Sequence, residues 1–128
     1  MNGEMVSGKP HTRLEAWKIA MDLVEETYRI TEHFPAQEKF GLTSQMRRAA
    51  VSIPSNLAEG AARDSQKEFA RFLSIARGSL SELDTQREIA IRIGFLKHQN
   101  NSKMSELLER TSKLITGLHK KIKSTLTQ

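Results

Sequence analysis

The sequence predicts an all-α fold, an antiparallel up-and-down four-helix bundle, from three observations. Apolar residues recur at the three- and four-residue spacing of helices in four separate segments. The connections between these segments are short, which favours antiparallel neighbours. Aromatic residues make up only 5% of a chain that is 38% hydrophobic, so the core must be mainly aliphatic. We expect a disordered polar leader over residues 1–12 and one helical domain over residues 13–126.

The first helix is expected to run from Thr12 or Arg13 to His33, where the following Phe34-Pro35 pair stops it. Its core stripe is predicted from apolar residues at helical spacing: Leu14, Trp17, Met21, Val24 and Tyr28. Because Trp17 is in register with the other positions, we interpret it as a core anchor rather than a platform for base stacking.

The second helix is expected to run from an N-cap at Thr43 or Ser44 to a C-cap at Gly60, with a proline in its interior. Pro54 lacks an amide donor and clashes with the carbonyl four residues earlier, so we predict a kink near Ala50. Polar residues at spacings of three or four share one face: Gln45, Arg48, Ser52, Asn56 and Glu59. Since an apolar face lies beside this polar seam, the helix should be buried on more than one side.

The third helix has a capping box, Ser65-Gln66-Lys67-Glu68, and is expected to end near Ile93, with Gly94 closing it. It carries two core-like stripes, which indicate two neighbours. A glycine in the middle of a helix, such as Gly78, usually marks a close approach of another backbone. The second stripe contains Ile75, Gly78, Ser79, Glu82, Gln86, Ile89 and Ile93.

The fourth helix, expected from about Lys103 to Thr125, carries the basic surplus of a chain whose net charge is +5. Residues 102–128 have six Lys or Arg and two acidic residues, whereas residues 1–101 have 14 and 13. The candidate nucleic-acid contacts are Arg47, Lys113, Lys120, Lys121 and Lys123. Such cations bind phosphates, but without interleaved aromatic residues they do not support base readout. The alternative interpretation is a solvated helix end whose lysines suit the helix dipole.

The charged members of the polar seam have two interpretations. Arg48, Glu59 and Glu82 are predicted to form ion pairs that fix helix register or subunit orientation, because unpaired buried charges are very costly. The other interpretation is a site that binds phosphate. We assign the same structural or interface role to the uncharged members, which are Gln45, Ser52, Asn56 and Gly78.

Motifs for most catalytic and metal-binding classes are missing. The chain has no Cys, and none of its four His follows a Glu at the spacing of di-iron bundles. It also lacks phosphate-binding glycine loops and the nucleophile elbow of hydrolases. We therefore expect no cofactor, no metal and no enzymatic activity.

One catalytic pattern stays open as a remote alternative. Arg92 and His98 have the Arg-x5-His spacing of the helical HEPN ribonucleases, which they resemble. There His98 would act as a general base and Arg92 would stabilise the charge of a phosphorane. The competing interpretation of His98 is a solvated loop histidine.

The sequence also bears on location. No segment approaches the length of apolar residues that a membrane span needs, and the first residues have no apolar signal region. We expect a cytoplasmic protein that does not interact with membranes.

Several short motifs follow one another between Trp17 and Leu96 in a specific order and spacing. They are Trp17-Lys18, Phe34-Pro35, Phe40-Gly41-Leu42, Arg47-Arg48-Ala49-Ala50, Ser52-Ile53-Pro54-Ser55-Asn56, Lys67-Glu68-Phe69, Gly78-Ser79-Leu80 and Glu82-Leu83. In these motifs the chain resembles the bacterial four-helix-bundle proteins encoded within intervening sequences of 23S ribosomal RNA genes. The resemblance implies an up-and-down bundle that assembles into a pentamer.

We therefore expect a non-enzymatic homo-oligomer, a pentamer by the resemblance, that binds structured RNA electrostatically or binds an RNA-associated protein. Basic residues repeated around a ring would hold a phosphate backbone by multivalency. A protein-interaction scaffold or adaptor without RNA affinity is the main alternative. The ribonuclease using Arg92 and His98 is the remote one.

Overall fold

Four α-helices dominate the computed structural model, which describes residues 9–127. These residues contain no strand, so the predicted all-α class is confirmed. The helices are α1 at Glu15–Thr31, α2 at Leu42–Ala61, α3 at Gln66–Arg92 and α4 at Ser102–Leu126. Short 3₁₀ helices lie at Pro10–Arg13, Ala36–Glu38 and His98–Asn100.

The four helices form a bundle in which each helix packs against two others. Helix α1 contacts α2 and α4, α3 also contacts α2 and α4, and the α2–α3 pair is the most extensive. Side-chain contacts give the direction of the pairs. Ser74 at the start of α3 reaches His119 near the end of α4, and Arg87 near the end of α3 reaches Asn101 just before α4. These two contacts make α3 and α4 antiparallel.

The core consists almost entirely of aliphatic side chains and Met, as the composition predicted. The large apolar side chains with no exposure are Leu23, Met46, Ile53, Leu57, Leu73, Leu83, Met104 and Ile115. Three buried threonines, Thr27, Thr31 and Thr111, donate their hydroxyls to the carbonyl four residues earlier in the same helix. Each of these three buried hydroxyls therefore has a hydrogen-bond partner within its own helix.

The prediction of which side of helix α1 is buried is wrong, because the buried side is rotated around the helix from the predicted stripe. Met21 and Tyr28 are 39% and 43% exposed, and Trp17 and Val24 are only partly buried at the edge of the core. The buried face instead carries Ala16, Ile19, Ala20, Leu23, Thr27 and Ile30. Alanines and threonines share this face with larger aliphatic residues, so the size of a side chain does not by itself mark the buried side.

Some helix ends agree with the sequence and others do not. Ser65 caps α3 as predicted, because its hydroxyl accepts a hydrogen bond from the Glu68 amide at 3.1 Å. Gly94, which follows α3, has a φ of +87° and suits its predicted role as the residue that closes the helix. The N-cap prediction for α2 is wrong: the helix begins earlier, and the Glu38 carboxylate accepts from the Leu42 amide at 2.9 Å.

The described chain begins inside the predicted leader. Residues 1–8 of the leader lie outside the described residues. Pro10–Arg13, however, form a 3₁₀ helix that packs on α1 and α2, and the His11 ring meets the Trp17 ring edge-on at 5.0 Å. These contacts place the end of the predicted leader against the bundle, and the domain boundary at residue 13 stays a prediction.

Helix α2 is continuous through Pro54, which is buried. The predicted kink stays a prediction. Ser52 does not bond the carbonyl that Pro54 leaves free, as its hydroxyl contacts Ser79 at 2.7 Å and accepts from Asn56 at 3.0 Å.

Neither Gly60 nor Gly78 has the role expected for it. A Cβ at Gly60 would lie 2.8 Å from Phe72 Cβ and 3.0 Å from Phe69 Cδ1, so α2 and α3 approach closely at Gly60. A Cβ at Gly78 would meet no heavy atom within 4 Å. Gly60 is thus a packing residue inside the last turn of α2, and Gly78 permits no close approach within the chain.

Candidate nucleic-acid interface

The antiparallel packing collects basic side chains at one end of the bundle. Gly60 of α2 lies against Phe72 of α3, and Arg47 at the start of α2 bonds Thr31 at the end of α1. Together with the α3–α4 contacts, these place the starts of α1 and α3 beside the ends of α2 and α4. We call this the basic end, and it comprises residues 9–22, 52–78 and 114–127.

The basic end holds nearly all of the chain's charge surplus. It carries ten Lys and Arg side chains and five Asp and Glu side chains, whereas the opposite half of the described residues carries ten and nine. The cations come from every helix and its flanking turn: Lys9, Arg13, Lys18, Arg63, Lys67, Arg71, Arg77, Lys120, Lys121 and Lys123. The field at this end therefore attracts anions. A count of charges along the sequence assigns the basic surplus to the last helix alone, whereas the structure shows that all four helices contribute to it.

Two arginines at the basic end are held by neighbours. Arg63 pairs with Glu59 at 2.7 Å and Arg71 pairs with Glu68 at 3.3 Å. Both guanidinium groups also lie against the Phe72 ring, at 4.9 and 4.6 Å from its centroid. These contacts fix positive charge over the α2–α3 turn.

Other cations at this end are free to meet a ligand. Exposed lysines that form no ion pair with another described residue include Lys18, Lys67, Lys120, Lys121 and Lys123. The last three are sequence candidates, and Lys18 and Lys67 were missed because neither belongs to a cluster of lysines in the sequence. A charge tally for each half of an antiparallel bundle would have found them.

The remaining sequence candidates lie elsewhere. Lys113 is in the middle of α4 and approaches Glu109 at 3.8 Å. Arg47 lies at the opposite end, where it donates to Thr31 Oγ1 at 2.9 Å and stacks on Tyr28 at 4.5 Å. The five candidates therefore do not form one surface.

A polar cluster joins α3 and α4 near the basic end. Arg77 Nη1 lies 3.5 Å from His119 Nδ1, and His119 Nε2 lies 3.1 Å from Ser74 Oγ. Because a guanidinium only donates, Nδ1 accepts and Nε2 carries the proton, which leaves no base directed at the Ser74 hydroxyl. Burial, followed by the charges of Arg77 and Lys123, lowers the pKa of His119. This cluster stabilises the neutral imidazole.

The polar seam lies along the groove between α2 and α3. Its centre is hydrogen-bonded, since Asn56 donates to Ser52 and Ser52 contacts Ser79. Arg48 and Glu82 are exposed at the same level of the two helices, and neither makes an ion pair with a described residue. Gln45 is exposed as well, and Glu59 is paired with Arg63 as described above.

Large apolar side chains are exposed beside this seam. Val51 on α2 and three isoleucines on α3, Ile75, Ile89 and Ile93, are between 40% and 53% exposed. The open Gly78 lies among them, and Gln86 is buried with its Oε1 unpaired. We call this surface the α2–α3 face. The second stripe of α3 is therefore largely exposed in the single chain, although the sequence pattern resembles a core.

The candidate ribonuclease pair is not joined. Arg92 donates its Nε to Glu88 at 3.2 Å, and His98 opens the short 3₁₀ helix before α4. No hydrogen bond connects their side chains within the described residues, and neither lines the groove that borders the same turn.

Residues 9–127 offer neither a metal site nor a membrane span. In this range no three or more Asp, Glu or His side chains are grouped as a metal site requires. No helix among these residues is long and apolar enough to span a membrane.

The fold and this surface define an all-α bundle protein with a basic end. Its sequence matches the family model described as 23S rRNA-intervening sequence protein over residues 12–117. The match covers most of the chain, so the protein belongs to this family. A comparison with curated proteins finds no match.

Proposed function

We propose that this chain is a non-enzymatic, homo-oligomeric protein that binds structured RNA through phosphate contacts at the basic end. The proposal rests on five exposed lysines at this end that form no ion pair with another described residue and come from three helices. They are Lys18, Lys67, Lys120, Lys121 and Lys123. Lysines on separate helices span a wider surface than one basic helix, as an RNA duplex requires. The family description, which refers to 23S rRNA, agrees with a cytoplasmic RNA partner.

The chemistry of the basic end favours the RNA backbone over the bases. Its aromatic rings are occupied by other contacts: Phe72 is buried and covered by two arginines, and Trp17 and Phe69 are partly buried against the core. Lysine ammonium groups bind phosphates as point charges and carry no sequence information. We therefore expect binding that is strong at low salt, weakly sequence-dependent and steeply reduced by added salt.

Self-association would raise this affinity by repeating the basic end. The α2–α3 face exposes three isoleucines of α3, Ile75, Ile89 and Ile93, in the single chain, and a second copy would bury them. The resemblance to bundle proteins that form pentamers makes a ring of five our specific proposal. Each added copy supplies the same set of lysines at a fixed distance, so weak phosphate contacts act together.

The test is binding of a hairpin from 23S rRNA to the purified full chain, followed by fluorescence anisotropy at low and physiological salt. Replacing Lys120, Lys121 and Lys123 with Gln should weaken binding and lower the salt dependence by roughly one unit of slope for each lysine that binds a phosphate. A matched variant with Lys97, Lys103 and Arg110 replaced by Gln removes the same charge elsewhere. Equal effects of the two variants would contradict the assignment to the basic end.

The exposed α2–α3 face also favours a second candidate, a protein-interaction scaffold without RNA affinity. It predicts no hairpin binding even at low salt. It also predicts that the protein purified without nuclease shows no absorbance from nucleic acid at 260 nm. Bound RNA would be easy to detect, because one Trp and one Tyr give the protein little absorbance of its own. The remote ribonuclease alternative predicts cleavage of the hairpin that His98→Ala abolishes.

A further inference from the structure

A groove between α1 and the start of α2, at the end opposite the basic end, combines aromatic rings with cations. It has a volume of about 610 Å³. The lining residues that carry its chemistry are Tyr28, Lys39, Phe40, Arg47, Arg48 and Val51, and no Asp or Glu lines it. We call it the α1–α2 groove. No motif drew attention to it, because its residues come from two helices and the loop between them.

Two exposed aromatic rings form the apolar part of the α1–α2 groove. Phe40 is 88% exposed, the most exposed large apolar residue among those described. Tyr28, the single tyrosine of the chain, presents almost half of its surface to solvent although its position on α1 suggested a core residue. Exposed aromatic rings of this kind provide faces on which a planar base can stack.

The cations of the α1–α2 groove are already oriented. Arg47 is held by its hydrogen bond to Thr31 and lies over the Tyr28 ring, so its guanidinium plane adds to the stacking surface. Lys39 lies over Phe40 at 5.6 Å. Arg48 is exposed and has no ion-pair partner among residues 9–127. A free arginine beside a pre-formed aromatic surface is suited to a phosphate group.

The start of helix α2 adds further positive potential. The Leu42 amide is occupied by Glu38, but the next two amides, those of Thr43 and Ser44, have no acceptor among the described residues. Both residues line the groove. Free amides and the helix dipole at this terminus attract an anion, in addition to the charge of Arg48.

We propose that the α1–α2 groove binds an unpaired nucleotide of RNA, with its base stacked on Tyr28 and Phe40 and its phosphate bound by Arg48 and the start of α2. The choice of RNA as the polymer rests on the proposed function, and the groove adds a second contact that prefers unpaired over duplex nucleotides. No carboxylate of this chain lines the groove, so its three cations remain available to an anion such as phosphate.

The experiment compares three labelled RNA ligands by anisotropy with the full chain: a short unstructured uridine oligonucleotide, the same backbone without bases, and a blunt-ended duplex that has no unpaired nucleotide. Tyr28→Leu and Phe40→Ala should each weaken binding of the uridine oligonucleotide on the order of tenfold, as expected for the loss of a stacked base. They should leave binding of the baseless backbone and of the duplex unchanged. Free uridine monophosphate added as competitor reports whether a single nucleotide suffices.

Matched controls separate the groove from general effects. Leu126→Ala removes an exposed apolar side chain at the basic end, and Arg110→Gln removes one exposed charge outside the groove. Both variants should keep the wild-type difference in affinity between the uridine oligonucleotide and the baseless backbone, whereas Arg48→Gln should weaken binding of both ligands. Because Phe40 is almost fully exposed, Phe40→Ala keeps the test valid even if Tyr28→Leu perturbs folding.

The outcomes distinguish this inference from the proposed function. Binding of the duplex, together with equal affinity for the oligonucleotide with and without bases, would overturn the groove and leave the basic end intact. Base-dependent binding of the oligonucleotide without any binding of the duplex would support the groove and overturn the basic end. Binding of neither ligand at low salt would overturn both.

Discussion

The most informative stability test is the substitution Gly60→Ala, because α2 and α3 pack closely at this glycine. The new methyl carbon would lie 2.8 Å from Phe72 Cβ, about 0.7 Å closer than the shortest favourable carbon–carbon separation of roughly 3.5 Å. Phe72 Cβ is fixed to the α3 backbone, so a rotamer change does not relieve the contact. The two helices must therefore move apart.

The expected size of the effect follows from two opposing contributions. Overpacking of a close-packed site costs about 1–3 kcal/mol. Alanine regains up to about 1 kcal/mol of helix propensity relative to glycine, and less in a last helical turn. We expect Gly60→Ala to lower the free energy of unfolding by about 1–2 kcal/mol, and Tm by roughly 3–8 °C in a domain of this size.

The assay is urea and thermal unfolding at two protein concentrations, because self-association would make stability concentration-dependent. Gly78→Ala is the matched control, since its methyl group meets no heavy atom within 4 Å, and it should stabilise the single chain by up to about 1 kcal/mol. A Gly60→Ala protein as stable as the wild type would refute the reasoning. Destabilisation by Gly78→Ala only at the higher concentration would indicate that another copy packs on the α2–α3 face.

Three further predictions concern caps and ionisable groups. Ser65→Ala removes the N-cap of α3 and should lower the free energy of unfolding in urea by about 1 kcal/mol. An unchanged free energy of unfolding would contradict a stabilising role of this cap. The hydrogen bond from Arg29 lowers the pKa of buried Glu26, so the pair stabilises the fold above pH about 4.3 and this contribution is lost as pH falls through the lowered pKa. Glu26→Gln should therefore destabilise by about 1 kcal/mol at neutral pH and by less in acid. Burial lowers the pKa of His119, so the unfolded chain binds more protons than the folded one and stability should fall as pH drops below about 6.5. His119→Gln should flatten this dependence of stability on pH. An unchanged pH dependence would contradict the lowered pKa of His119 as its cause.

The sequence predicted the helices well and their buried sides less well. The Ser65 cap and the turn at Gly94 depend on local hydrogen bonds and backbone angles, which a few consecutive residues determine. The buried side of α1 depends on where its neighbours lie. Ala20 and Thr27 are buried, whereas the larger Met21 and Tyr28 lie at the edge. Size and hydrophobicity alone therefore pointed to the wrong face.

The candidate sites show the same division. Lys120, Lys121 and Lys123 were recognisable because they are close in sequence. Lys18 and Lys67 joined them only when the antiparallel order was known. The α1–α2 groove was missed because its aromatic and cationic members lie on different elements, with Arg47 and Tyr28 nineteen residues apart.

The sequence by itself determined the all-α class, the four helical segments and the family, because helical periodicity, caps and ordered motifs are local properties of the chain. Only the tertiary structure decided which glycine lies at a close contact, which face of each helix is buried and which charges share a surface. These properties depend on the relative positions of distant residues, and the antiparallel packing of α1 to α4 sets those positions.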